Sequence, residues 1–510
     1  MIPKRKRTWI ILTLTVLLIS GGIIAQKRQL SRTFDDFWGA RFSAKPEVAL
    51  QITTPSLVTD ASKTGLLRWN EIAINASGLD HTPVAPGENR VFGEQVGPCR
   101  SSRAEAIVHI AMFDVLNAIV GGYQSFTNVP KAKASTSRNA AIAQAAHDTL
   151  AALFPSQKPT FDQLLAEDLG RIPDGLSKTE AITLGRKVAK DVLALKAGDG
   201  SVHTEPRYGI NYIAGTGPGI WRQDPISLHP LALGANWPAC KPFVLQSATQ
   251  FRLPPPPALN SPEYAVAFNE VKALGGDGIN TPTQRTEDQT EAGIYWAYDG
   301  VPTLCAPPRL YNQIATNIAF QMGTNEIETA RLLALLNTAM ADAGITSWDT
   351  KYAYAFWRPV TGIREADAGT GPSGLGDGNP ATEGDATFRP LGAPASNLTG
   401  PNFTPPFPAY VSGHATFGGA LFETLRRFYG TDNITFTFVS DELNGITKDN
   451  AGNIRPLRPR TFTSFSQAEE ENGQSRIYLG IHWSFDKTNG IKQGRQVAEY
   501  VFKRAFKKLP

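Results

Sequence analysis

The sequence predicts a mainly α protein built as two helical bundles after an N-terminal membrane segment. Three observations lead there. Apolar residues recur at three- and four-residue steps along most of the chain, the spacing of one helix face. No stretch of several alternating Val, Ile or Thr residues marks a substantial sheet. With 510 residues, 41% hydrophobic and 19% charged, the chain can bury a sizeable core, which excludes a disordered tail and a disulfide-stapled miniprotein.

The elements follow in order. Between the basic run ending at Arg7 and the next at Lys27 lies WIILTLTVLLISGGIIAQ, which as a helix of about 1.5 Å per residue reaches about 27 Å, close to the bilayer's hydrocarbon thickness. The preceding Lys-Arg-Lys-Arg run places the N-terminus in the cytoplasm and everything after Gln26 beyond the membrane. Residues 1–32 therefore form a signal-anchor or a signal peptide, and the chain is expected to be extracytoplasmic, membrane-anchored or secreted. Residues 33–60 read as a polar, irregular tether.

Residues 60–262 read as the first bundle. GLLRWNEIAINAS opens it, and the next stretch sets Ala106, His109, Ile110, Phe113, Leu116 and Asn117 on one face. RNAAIAQAAHDTLAALF repeats the style, and a further helix is expected to begin at Ser177 as N-cap and end before Gly198. His109 and His147 sit on Ala-rich faces and read as packing or helix-to-helix hydrogen bonds. Residues 199–262 carry too many prolines for long helices and read as an irregular connection. Residues 263–510 read as the second bundle, interrupted by the Gly-, Pro- and Asp-rich stretch 364–407 and closed by a helix from about Ile491 to Lys507.

The net charge of +4 is misleading. Residues 1–32 hold seven Lys and Arg and no acid, while the other 478 residues hold 43 Lys and Arg against 46 Asp and Glu. The folded part thus has no cation excess for a nucleic-acid backbone. Cys99, Cys240 and Cys305 are an odd number without C-x-x-C spacing, so they indicate no zinc site and at most one bridge within the chain.

Three motifs in the second bundle carry chemistry: KYAYAFWRP, PPFPAYVSGHATFGGA and SRIYLGIHWSFD. Lys351 and Arg358 stand seven apart, two turns on one helix face, with Pro359 expected to stop that helix at Arg358. Ser412-Gly413-His414 precedes an amphipathic helix from about Ala415 to Tyr429 with Gly430 as its C-cap. Free amides and the dipole at such a helix start cradle an anion, and His414 adds a proton-exchanging group. Arg476 and His482, six apart, point to opposite sides of an unbroken helix; Gly480 between them can end that helix and let His482 swing back. Together Lys351, Arg358, Arg476, Ser412, the Gly413 amide, His414 and His482 suit a tetrahedral oxyanion better than a carboxylate or a divalent metal.

On these residues the chain resembles the vanadium-dependent haloperoxidases, which share this anion site with the type-2 phosphatidic acid phosphatases and the bacterial non-specific acid phosphatases. The shared pattern is Lys-x6-Arg-Pro, Pro-Ser-Gly-His and Ser-Arg-x5-His-x3-Asp, here Lys351 with Arg358-Pro359, Ser412-Gly413-His414, and Ser475-Arg476 with His482 and Asp486; Val411 stands where the family has Pro. YWAYDG, CAPPRLYNQIA, Trp348 and Phe407 are similar to the chloroperoxidase type. The resemblance covers about residues 60–510. It implies vanadate as cofactor, bound to the metal through His482 alone, with Lys351, Arg358, Ser412, the Gly413 amide and Arg476 on the equatorial oxygens. It implies His414 at the apical oxygen as the proton-handling group, Lys351 polarising bound peroxide, Asp299 paired with the site arginine, Asp486 orienting His482, and Trp348 and Phe407 lining a halide pocket. The implied partners are hydrogen peroxide and chloride or bromide, with room for an organic acceptor; oligomeric state stays open. The alternative is a phosphomonoesterase with His482 as nucleophile and His414 protonating the leaving group.

Overall fold

Residues 33–44 and 65–510 are described by the computed structural model; the expected membrane segment lies outside them. Among the described residues no helix is long and apolar enough to cross a membrane. The chain is mainly helical, as its periodicity predicts. Helices α1 (Phe34–Trp38), α2 (Leu66–Asp80), α3 (Pro98–Val120), α4 (Arg138–Leu153), α5 (Lys158–Gly170) and α6 (Leu176–Leu195) make up the first half. The second half holds α7 (Pro262–Leu274), α8 (Glu287–Tyr295), α9 (Pro307–Gln321), α10 (Glu326–Tyr354), α11 (Pro359–Arg364), α12 (Gly413–Tyr429), α13 (Phe465–Tyr478) and α14 (Ser484–Arg504). Between α6 and α7 the prolines leave only a three-residue 3₁₀ turn, Trp237–Ala239.

The halves share one apolar core. α3 packs along α10, and α10 in turn against α12 and α14, so a continuous buried cluster runs from Trp69 and Ile107 through Leu336 to Phe417 and Val501. A second cluster gathers Phe268, Trp357, Tyr410 and Trp483 under the motif segments. The tightest crossing sets the site. A Cβ at Gly494 would lie 2.0 Å from the Thr416 carbonyl oxygen, and one at Gly490 2.8 Å from that of Ser412. Only glycine lets the α14 backbone approach the first turn of α12 so closely.

Four expectations need correction. Residues 33–60 are not a plain tether: Thr33 caps α1 in a capping box, and Phe37, Trp38 and Phe42 are buried. Strand β1 (Ser43–Ala44) then pairs antiparallel with β2 (Leu398–Thr399). Three closely spaced aromatics in a polar stretch are too few for a periodic signal, yet enough to anchor it. Second, a hairpin of β3 (Phe436–Asn444) and β4 (Leu457–Phe462) stands where no sheet was expected; only Phe436 and Phe438 give its alternation an apolar face. Third, Ser177 lies inside α6, whose N-cap is Gly175, because its hydroxyl donates instead to the Ser135 carbonyl. Fourth, α14 begins at Ser484, well before Ile491.

Polar residues inside the first half tie helices together. His109 bonds Asn70 at 2.8 Å and His147 bonds Asp162 at 2.8 Å, the helix-to-helix roles expected of them. Cys99, Cys240 and Cys305 are buried free thiols. Glu105 is an outlier: one carboxylate oxygen is buried without a partner, and burial pushes its pKa from the ordinary 4.5 up to about 8. The folded chain then holds a proton that the unfolded chain releases above pH 4.5. Stability therefore falls as pH rises from 4.5 toward 8, by at most about 1.4 kcal/mol per pH unit from this group. Glu105→Gln is expected to flatten that slope, leaving the variant more stable than the parent at neutral pH and nearly equal at pH 4.5, as thermal melts across this range would show.

Candidate active site

The three motifs converge between the C-terminal ends of α10 and α13 and the starts of α12 and α14. Lys351 lies in the last turn of α10, which ends not at Arg358 but at Tyr354, with Ala355 in the left-handed region at φ 44°. The chain then turns extended, and Arg358 becomes the N-cap residue of α11. So Lys351 and Arg358 share no helix face; a cap four residues before Pro359 releases Arg358 to approach from another direction.

Two of the three cations are held by carbonyls. Lys351 Nζ donates to Pro408 O at 2.9 Å, Ala409 O at 3.1 Å and Val411 O. Arg358 donates through Nε to Phe407 O at 2.9 Å and through Nη1 to Ile481 O at 2.8 Å. These bonds pin the 405–411 segment, which leads into Ser412. The Ser412 hydroxyl accepts the Ala415 amide as N-cap of α12, and Gly430 closes the helix in the left-handed region at φ 71°. The Gly413 and His414 amides, first in the helix, have no intrahelical carbonyl to meet and lie at its positive end.

Gly480, at φ 71°, breaks the chain after α13, and His482 returns beside the first motif. Its Nδ1 donates to Asp486 Oδ2 at 2.8 Å, so its Nε2 keeps a lone pair, which faces Arg358 Nη1 at 2.8 Å. Asp486 also accepts the Trp483 amide, and its own carbonyl accepts the Ser412 amide at 3.1 Å. One residue thus ties the His482 turn to the helix start. Arg476 pairs through Nη2 with both oxygens of Asp299, at 2.6 and 2.8 Å, while its Nε and Nη1 are buried without a partner. His414 Nε2 donates to the Ala297 carbonyl, leaving Nδ1 as the free ring nitrogen.

One cavity of about 40 Å³ reaches these groups: Gly413, His414, Arg476, His482, Asp299, Trp348 and Phe407 all line it. Lys351, Arg358, Ser412 and Asp486 stand behind this lining. Trp348 and Phe407 are in ring contact at 4.8 Å, and the Lys351 and Arg358 charges sit over the Phe407 face at 4.9 and 5.0 Å. Trp348 is fixed by its indole N–H on Leu233 O at 2.9 Å.

The electrostatics ask for an anion. Burial, then the Arg358 charge, holds the Lys351 pKa well below its ordinary value. Burial first, and the neighbouring cations after it, push both His414 and His482 down, so both are neutral here. Arg358 itself is lowered to about 9 by burial, while burial raises Asp299 despite Arg476 and lifts Asp486 to about 7. A tetrahedral oxyanion fits these residues: it would meet the two orphaned Arg476 nitrogens, the α12 amides, and a histidine lone pair fixed by a carboxylate. No group of His, Cys, Asp and Glu among the described residues suits a metal cation.

Several residues of the site escaped the sequence. Phe37, Trp38, His229 and Phe403 line the same cavity, and all four come from stretches without helical periodicity. Tyr311 and Asn472 both bond the His414 carbonyl, at 3.1 and 3.0 Å. The unexpected hairpin also serves the site: Ser440 and the Asp441 amide bond Tyr295 O and Tyr298 Oη at 2.6 and 2.7 Å, fixing the segment that carries Ala297 and Asp299.

Comparison with known proteins bears on this geometry. Residues 331–509 match the family model described as the VCPO second helical-bundle domain. The chain is 32% identical over 505 residues to the vanadium chloroperoxidase of Curvularia inaequalis, covering 82% of this chain and 78% of that protein. Among solved structures it is similar to a bacterial vanadium-dependent iodoperoxidase, with TM-score 0.66 and 24% identity over 86% of this chain and 96% of the other. It is also similar to a holo-type bacterial vanadium-dependent chloroperoxidase, with TM-score 0.61 and 15% identity over 88% of this chain and 98% of the other. At these identities the two structures speak for the fold.

Proposed function

Because the chain belongs to the vanadium haloperoxidases, whose cofactor is vanadate, we propose that it oxidises chloride or bromide with hydrogen peroxide to hypohalous acid. The observation that carries this reading is the cavity shared by the His482 turn, the two unpartnered Arg476 nitrogens and the Trp348–Phe407 pair. The chemistry needs an oxyanion site beside an apolar halide pocket, and the orphaned Arg476 nitrogens next to the Trp348–Phe407 pair support that reading.

In this reading His482 Nε2 would be the single protein ligand of vanadium, oriented by Asp486. Lys351, Arg358, Arg476, Ser412 and the Gly413 amide bind the oxyanion's oxygens; Asp299 keeps Arg476 turned toward them. Bound vanadate supplies Lewis acidity that makes peroxide electrophilic toward halide, without a change in oxidation state. Lys351 would add positive charge beside the bound oxyanion and its peroxide. His414 accepts or returns a proton at Nδ1, the nitrogen its Ala297 bond leaves free. Trp348 and Phe407 exclude water from the halide. The hydrophobic run within residues 1–32 supports an extracytoplasmic location, anchored or secreted.

The test is halogenation of monochlorodimedone with peroxide and bromide or chloride, before and after orthovanadate, with phosphate as competitor. Activity that appears with vanadate and fades with phosphate supports the reading. Silence there, with vanadate-inhibited hydrolysis of p-nitrophenyl phosphate, moves the chain to the phosphomonoesterases. A narrower expectation concerns Asp486→Ala, which removes the acceptor that fixes the His482 tautomer and should weaken vanadate binding about 10- to 100-fold, measurable by titration calorimetry.

A further inference from the structure

The His414 backbone is held as firmly as its ring. Its carbonyl sits in the first turn of α12, where one oxygen lone pair serves the helix ladder and the other is open to neighbours. Two side chains from other helices take it: Tyr311 Oη of α9 at 3.1 Å and Asn472 Nδ2 of α13 at 3.0 Å. Tyr311 Oη also lies 2.9 Å from Asn472 Oδ1, so its proton is shared between two acceptors. Asn472 can face only one way here. The carbonyl accepts and cannot donate, so the amide N–H must point to it, which turns Oδ1 toward the tyrosine. Both side chains are buried, and burial raises the Tyr311 pKa, so the hydroxyl keeps the proton that it donates. Gly418 makes the room. A Cβ there would lie 2.2 Å from Asn472 Nδ2, so a glycine at this position leaves the amide its path to the helix backbone.

We infer that Asn472, with Tyr311, is a positioning residue for His414: it fixes the direction of the free ring nitrogen relative to the Arg476 guanidinium. The ring is held at its far end by the Ala297 carbonyl, and the residue at its near end by this pair. With both ends held, Nδ1 has one direction. Asn472 stands four residues before Arg476, on the same face of α13. One helix turn thus sets the spacing between the group that would carry the proton and the nitrogens that would hold the oxyanion. Proton transfer needs distance and direction together, and a displacement of about 1 Å can cost about 10²-fold in rate. That His414 carries a proton in turnover rests on the haloperoxidase reading; the bonds that hold it do not.

Two measurements test the inference. The first needs no vanadate. Imidazole nitrogen shifts of the full chain, labelled on histidine and assigned to His414 by their loss in His414→Ala, are expected to show one tautomer, protonated at Nε2. Asn472→Ala, and Gly418→Ala, which keeps the amide but closes its path, are expected to show a tautomer mixture. A single, unchanged tautomer in both, with the fold intact by circular dichroism, overturns the inference. The second measurement follows turnover of the vanadate-loaded chain against pH. Asn472→Ala is expected to lose at least about tenfold in kcat, with vanadate affinity close to the parent's. Asn472→Asp has the parent's shape but donates to the carbonyl only while its carboxyl is protonated; the charges acting on its partner Tyr311 are Arg476 and Asp299. Its kcat relative to the parent's is therefore expected to climb as pH falls, while the ratio for Asn472→Ala stays level. A merely structural contact would leave both ratios level, and that outcome overturns the inference. If the parent itself does not halogenate, the haloperoxidase reading fails, and the tautomer spectra alone decide for or against the positioning role.

Discussion

His482→Ala is expected to lose bound vanadium and, with it, halogenation by a factor on the order of 10³. The reason is local. The lone pair at Nε2 exists because Nδ1 is committed to Asp486 at 2.8 Å, and Arg358 Nη1 faces it. Every other residue assigned to the oxyanion reaches oxygens and cannot replace a bond to the metal. Asp486 keeps its Trp483 amide in the variant, so the turn into α14 should hold. Vanadium per chain after gel filtration, measured by atomic emission beside the monochlorodimedone rate, decides the matter. A variant that retains one vanadium per chain and normal turnover would refute the assignment.

His414→Ala should behave differently, and the contrast is the sharper test. Its ring lines the cavity with Nε2 tied to Ala297, so removing it deletes the proposed proton carrier while leaving His482, the proposed ligand, and the three cations in place. Vanadium content should stay close to that of the parent while turnover falls about 10²- to 10⁴-fold. The Gly413 and His414 amides survive the change because alanine keeps the backbone at the start of α12. Loss of vanadium equal to that in His482→Ala would assign His414 to binding instead. Turnover like the parent's would remove it from the mechanism.

What the sequence revealed depended on the range of the signal. Ser412-Gly413-His414 and Gly480 were legible because helix starts and stops are local events, written in a few adjacent residues. Lys351 and Arg358 were legible as a pair but not in their geometry, since the left-handed cap at Ala355 leaves no mark in an Ala-Tyr-Ala-Phe stretch. The Phe436–Phe462 hairpin and the Phe37–Trp38 arm were missed for a common reason. Both are held by contacts to residues far away in sequence, Tyr295 and Tyr298 in one case and His229 and Phe403 in the other, and no periodicity within either segment reports on that.

The arm has a practical corollary for anyone producing the protein. A truncation placed by pattern alone would start near residue 60, just ahead of α2, and would keep all three motifs. It would also delete Phe37 and Trp38 from the cavity wall and Phe42 from the core. Such a preparation would keep every residue assigned to the oxyanion and yet lack part of the cavity's wall. Trimming at residue 32 removes the hydrophobic run while sparing Thr33, the cap of α1, and keeps both the cavity wall and the core whole.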